Sequence, residues 1–168
     1  MRLILTVLIA LIAFQLHAQQ KYGHLNTGNI LESMPAVAKA DSTLKVFQTG
    51  MQQKEDEMIA AFEKEYMEFA QKAQAGELPK MTIDKKQQEF QQKEQQIIAY
   101  QREVQQQITQ RRKELLDPIL KQLQETVNKI AKDNGYAYIF DISTGAFLYA
   151  KESEDIEPLV RTALGLPQ

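Results

Sequence analysis

The chain contains no cysteine. No disulfide can staple it, no thiol can attack a substrate or bind a metal, and no lipidated cysteine can follow a leader. Tryptophan is also absent, and histidine occurs at His17 and His24 alone. A single histidine in the mature chain, with no evident acid–base partner, reads as structural rather than catalytic. Glycine is sparse, with seven in 168 residues. Gly28, Gly135 and Gly145 are isolated turn glycines, so no phosphate-cradling loop follows a strand. Charge of one sign is lacking too: 20 basic residues face 22 acidic ones, for a net charge of −2. Such a balance gives no reason to expect nucleic acid as a partner, and it leaves contact with an anionic membrane open. These absences leave no motif for an enzyme, no metal site and no cofactor.

The one long apolar run is Leu3 to Phe14, with Arg2 before it and Ala18 after it. It is too short for a comfortable membrane span and reads as a secretory signal peptide over residues 1–18, cleaved before Gln19. An uncleaved anchor is the alternative. Either reading sends the rest of the chain out of the cytoplasm.

What the chain has in plenty is helix former. From Ala36 to about Asp133 the sequence is dominated by Gln, Glu, Lys, Ala, Met and Leu, interrupted at Ala75-Gly76-Glu77-Leu78-Pro79-Lys80. Gly ends a helix in a left-handed cap, and Pro disfavours helix at the residue before it. The pattern predicts two long helices forming an antiparallel hairpin, with its tip near residues 75–80. In the first arm Val37, Ala40, Leu44, Phe47 and Met51 follow alternating spacings of three and four, a heptad seam. Lys54-Glu55-Asp56-Glu57 interrupts it, and Met58, Phe62, Tyr66, Phe69 and Ala73 resume it with a stutter at Phe62–Tyr66. The second arm carries Phe90, Ile97, Val104, Ile108 and Leu115, with Ile98 and Tyr100 off that line. Its Gln-rich stretch suits a solvated helix, a disordered tract being the alternative. Gly50, inside the first arm, is a candidate hinge. Asp117-Pro118 is a second one, where a new helix starts or a continuous helix kinks.

The two ends of the chain form a small body. Tyr22 to Asn26 is a short strand, and Thr27 or Asn29 caps a helical turn that Pro35 stops or kinks. After Pro118 the apolar stripe widens through Ile119, Leu120, Leu123, Val127 and Ile130, as in a helix packed on a core. Tyr136 to Ile142 is the clearest strand in the chain. Ser143-Thr144-Gly145 is a turn and Ala146 to Ala150 the returning strand of a hairpin. Asp155 to Leu164 is a terminal helix, capped by Ser153 or Asp155, with Val160, Ala163 and Leu164 inward. So small a sheet has open edges and too little core, which implies a homo-oligomer held through Leu25, Tyr136, Tyr138, Ile139, Phe140, Ile142, Phe147, Leu148 and Tyr149. The expected architecture is α+β: a helical coiled-coil hairpin (residues 36–116) on a β-body (residues 19–35 and 117–168).

Four clusters invite chemistry. Glu55-Asp56-Glu57 and Glu63, Glu65, Glu68 lack the converging turn that a metal needs, and read as a solvated helix face. Arg111-Arg112-Lys113 meets either lipid phosphate or its neighbouring carboxylates. Phe62, Tyr66, Phe69, Phe90, Ile98 and Tyr100 either fill the seam or face outward to a partner.

Taken together, Tyr22-Gly23-His24-Leu25-Asn26, the long hairpin, Asn134-Gly135-Tyr136-Ala137-Tyr138-Ile139-Phe140-Asp141 and Phe147-Leu148-Tyr149-Ala150 resemble the Skp (OmpH-like) family of periplasmic chaperones. The resemblance spans the mature chain and implies a homotrimer. Its body would be an intersubunit β-barrel, with the hairpins enclosing a cavity that holds unfolded outer-membrane proteins without ATP. It makes the six outward candidates client contacts. Well-known members are strongly basic, whereas this chain is mildly acidic, which leaves contact with lipopolysaccharide or an anionic membrane open. The alternative is a structural or adaptor coiled coil of the cell envelope.

Overall fold

Tyr136–Asp141 forms a strand, as its aromatic and β-branched residues predict, but its partner differs from the one expected. The computed structural model describes residues 20–167, so the expected leader lies outside the described residues. In chain order the elements are β1 (Lys21–Leu25), α1 (Thr27–Ser33), α2 (Pro35–Gln74), α3 (Lys80–Asn134), β2 (Tyr136–Asp141), a short 3-10 turn (Glu152–Glu154) and α4 (Glu157–Leu164). The chain divides into two compact units. Among the described residues, the body holds those up to Pro35 and those from Leu120, and the arm is Ala36–Ile119.

In the body, β1 and β2 pair in parallel as a two-stranded sheet, with Tyr22 opposite Tyr138 and His24 opposite Phe140. The expected hairpin between residues 136–142 and 146–150 does not form, and Ala146–Ala150 is not a strand. The reason lies at Asp141. Its carboxylate accepts from the Thr27 hydroxyl at 2.6 Å, the Thr27 amide at 3.2 Å and the Ser143 amide at 2.9 Å. That knot bends the backbone off the strand just before the turn. The chain then lays Phe147 against Phe140, ring centroids 5.3 Å apart, and crosses to the other side of β1, where Asp155 bridges His24.

Leu25, Ile30, Met34, Leu123, Ile130, Ile156 and Val160 are buried and make the body's core. Asn26, rather than Thr27 or Asn29, caps α1, its side chain accepting the Asn29 amide at 3.2 Å. Ile156, not Ser153 or Asp155, stands at the N-cap of α4 and has no side-chain cap bond; Asp155, one residue earlier, accepts from the Glu157 amide at 2.8 Å. Val160 is fully buried, but Ala163 is exposed instead of facing inward.

In the arm, α2 ends at the expected glycine. Gly76 has φ 73°, its amide bonds Ala73 O at 3.1 Å, and the Glu77 amide bonds Lys72 O at 3.1 Å. This is the Schellman arrangement, which satisfies the Lys72 and Ala73 carbonyls at the end of the helix. Pro79 O accepts from Thr82 and Ile83 and opens α3. Helix α3 runs unbroken through Pro118, so no fresh helix starts there. Ring and side-chain contacts of Met51 with Tyr100 and Phe69 with Phe90 show that α2 and α3 run antiparallel.

Candidate functional surfaces

The inward positions of α2 read Met51, Glu55, Met58, Phe62, Glu65, Phe69 and Ala73. The seam therefore does not break at Lys54–Glu57, and no stutter falls at Tyr66. Glu55 and Glu65 occupy the positions, and Tyr66 is 50% exposed. Doubled spacings of four fall instead at Phe47–Met51–Glu55 and at Glu65–Phe69–Ala73. Glutamate can serve in a seam because its stem packs while its carboxylate finds a cross-arm donor. Glu55 takes Gln101 Nε2 at 2.7 Å. Glu65 takes Lys86 Nζ at 3.0 Å and, through its other oxygen, Lys93 Nζ. These bonds, Lys93 first, hold the Glu65 carboxyl below the usual carboxylate range. Glu89 and then Glu65 push the Lys86 ammonium up.

Around this charged layer the rings converge on Phe90, which is 4% exposed. Phe62, Tyr66 and Phe69 lie 5.8, 5.3 and 5.3 Å from it, centroid to centroid. Tyr100 donates toward Met51 O at 3.4 Å, and Lys54 stands 4.9 Å over its ring. Of the six outward candidates, Phe62, Phe69, Phe90 and Tyr100 thus line the seam, Tyr66 is half exposed at its border with its ring against Phe90, and Ile98 is exposed. Val46, Met67 and Met81 are exposed as well, although their sequence positions had not marked them. Gly50 has nothing within 4 Å of where a Cβ would stand. Nearby, a shallow depression of about 440 Å³ is lined by Phe47 and the polar Gln106, Gln107, Gln110, Arg111 and Glu114.

The body presents one continuous aromatic face. Side chains alternate across a sheet, so Tyr22, Tyr138 and Phe140 share a side. The three rings form a cluster, with Tyr22–Tyr138, Tyr138–Phe140 and Tyr22–Phe140 centroids 6.0, 6.2 and 6.4 Å apart. Tyr22, Tyr138, Phe140, Phe147 and Tyr149 are all at least 39% exposed, and Leu148 is fully so. Tyr22, Phe140, Ile142, Phe147 and Tyr149 border a groove of about 310 Å³. His24 forms part of its wall, is 8% exposed and has Nε2 2.9 Å from Lys151 O. The opposite side of the sheet carries Ile139, beside a second groove of about 320 Å³ with Leu31, Leu120, Leu123 and Val127. Leu25, expected at an interface, is instead a core residue at 2% exposure. Tyr136 is half-buried under the Lys21 ammonium, 4.1 Å from its ring. Tyr22 was the residue missed: only its pairing with Tyr138 brings it to this face. Among the described residues, no group of three or more acidic or histidine side chains could hold a metal ion.

Arm and body define a mostly helical α+β protein, with long antiparallel helices and a small parallel sheet. Residues 21–164 match the family model described as outer membrane protein (OmpH-like), and the chain belongs to that family. Among solved structures it is similar to an OmpH-like protein from Caulobacter crescentus CB15, described there as an outer membrane chaperone. The two share 16% identity and a TM-score of 0.70 over 88% of this chain and 85% of that one. No curated protein matches the sequence.

Proposed function

We propose that the protein is an exported, ATP-independent holdase of the periplasm that keeps unfolded outer-membrane proteins from aggregating, and that it acts as a homotrimer. Family membership supports the chaperone role. The observation that carries the assembly is the aromatic face of the body. A two-stranded sheet is marginal in water, and contiguous exposed apolar patches mark interaction surfaces. The outer edge of β2 has no strand beside it among the described residues. Three bodies joined through these edges would form a barrel and bury Tyr22, Tyr138, Phe140 and Phe147 against one another.

Client contact then falls to the outward apolar residues of the arm, Tyr66, Met67, Met81 and Ile98. They are scattered among Gln, Glu and Lys, so each contact is weak and the loaded complex stays soluble. The body–arm division follows residues 19–35 and 117–168 against 36–116, with Gly50 and Pro118 as hinges. The nearly neutral charge gives no long-range attraction to lipopolysaccharide.

The filled seam around Phe90 favours a second reading, an envelope adaptor that uses its helices as a spacer. One experiment separates the two. The mature protein is weighed by light scattering, and a urea-unfolded outer-membrane β-barrel protein is then diluted into it without ATP. A trimer that suppresses turbidity near one trimer per client is the expected result. A stable folded monomer at micromolar concentration removes the trimer, and a trimer that leaves turbidity unchanged favours the adaptor.

A further inference from the structure

The distal arm has a repeating seam, and its apolar part alone does not say which turn of α2 faces which turn of α3. Phe62 and Phe69 are one heptad apart, and both pack on Phe90. Lys86 and Lys93 are likewise one heptad apart and flank Phe90 in sequence. If α2 slips by seven residues one way, Phe69 takes the place of Phe62 and an aromatic contact survives. In the other direction Phe62 takes the place of Phe69. Glu65 is different. It is the carboxylate bonded to both lysines, with the three side chains only 34–42% exposed. The first slip replaces it with Lys72, a third positive charge beside Lys86 and Lys93. The second replaces it with Met58, leaving both ammonium groups without their cross-arm carboxylate.

We propose that Glu65, clasped by Lys86 and Lys93, is a register lock that specifies the pairing of the two arm helices between Gly50 and the tip. A polar residue at a seam position costs stability against an apolar one but penalises every alternative alignment. The layer works with the tip, where Gly76 and Pro79 also oppose slippage, and it is independent of whether the arm holds clients.

The absence of native cysteine makes the test direct. In a protein whose tip is lengthened by a Gly-Ser insertion after Gly76, cysteine pairs are oxidised and read on gels. Glu55 with Gln101 reports the native register, since these side chains meet at 2.7 Å. Glu55 with Glu94, and Glu55 with Ile108, report the two slips. With Glu65 present the native pair alone should cross-link. In Glu65→Leu the arm should stay helical while a slipped pair gains at the native pair's expense. Glu65→Lys should scramble the register further, and the triple exchange Glu65→Lys, Lys86→Glu, Lys93→Glu should restore the native pair. Native-only cross-linking in Glu65→Leu, or a triple exchange as scrambled as Glu65→Lys alone, overturns the lock.

Discussion

Tyr22 of β1 stacks on Tyr138 of β2, the rings 6.0 Å apart and 12° from parallel, although they are 116 positions apart in the chain. The pair sits at the centre of the exposed aromatic face. Its side chains gain little from the body's own core, and in the proposed assembly they would be buried.

Replacing Tyr138 with Asp should therefore dissociate the oligomer while leaving each body folded. At 58% exposure the carboxylate stays solvated in the single chain. Burying it unpaired at an interface costs several kcal/mol unless it takes up a proton. Sedimentation velocity reads the mass, and circular dichroism checks the fold. An unchanged mass would place the interface elsewhere.

Asp141 ties β2 to α1 and should be a stability determinant of the body. Burial pushes its pKa up, but the bonds from Thr27 and Ser143 outweigh that and leave it lowered from 3.8. A lowered folded pKa gives stability that is complete above the unfolded value and is lost as pH falls through the folded one. The body should thus weaken below about pH 4. Asp141→Ala should cost about 2 kcal/mol at neutral pH, since bonds to a charged acceptor are involved. It should also flatten this acid dependence, which denaturant melts at pH 7 and pH 3 would measure. Equal losses at both pH values would contradict the assignment.

Gly23 is a packing point. A Cβ there would stand 3.0 Å from both Ile156 Cγ2 and Tyr136 Cε1. Gly23→Ala should destabilise the body by about 1–3 kcal/mol, the usual cost of overpacking. A neutral melt would mean that Tyr136 swings aside freely.

Gly50 offers the opposite case. It lies inside α2 with open space around it, so Gly50→Ala should stabilise the arm by up to roughly 1 kcal/mol. Slower amide exchange between residues 45 and 60 would register it. If Gly50 is a functional hinge, accommodation of the largest clients should worsen while small ones are held as before.

Removing matched lengths of α2 and α3 on either side of Gly76 and Pro79 should leave the assembly mass per chain count unchanged and weaken protection of large clients. Full protection by shortened arms would rule out enclosure.

Both long helices, the tip and the two strands were legible from local pattern. Gly76 and Pro79 act through their own backbone chemistry, and β2 announces itself by its run of aromatic and β-branched residues. The seam was legible where it is apolar. It was misread at Glu55 and Glu65, because a hydrophobic pattern treats a carboxylate as solvated and cannot see Gln101 or Lys86 waiting across the hairpin. The returning strand at Ala146–Ala150 was misread for a related reason. Its residues suit a strand, but the three bonds to Asp141 redirect the chain before they can pair.

The sequence by itself determined where the two long helices turn back on each other, because the glycine and proline at the tip act over a few residues. It also determined that the core would be too small for comfort, since composition limits how much apolar surface can be buried. Only the tertiary structure decided which strand lies beside β2, which aromatic rings stay exposed and which carboxylates join the seam. Those outcomes depend on partners such as Thr27 and Asp141, 114 positions apart. Local propensity carries no information over that distance, and the competing pairings differ only in contacts that exist once the chain has folded.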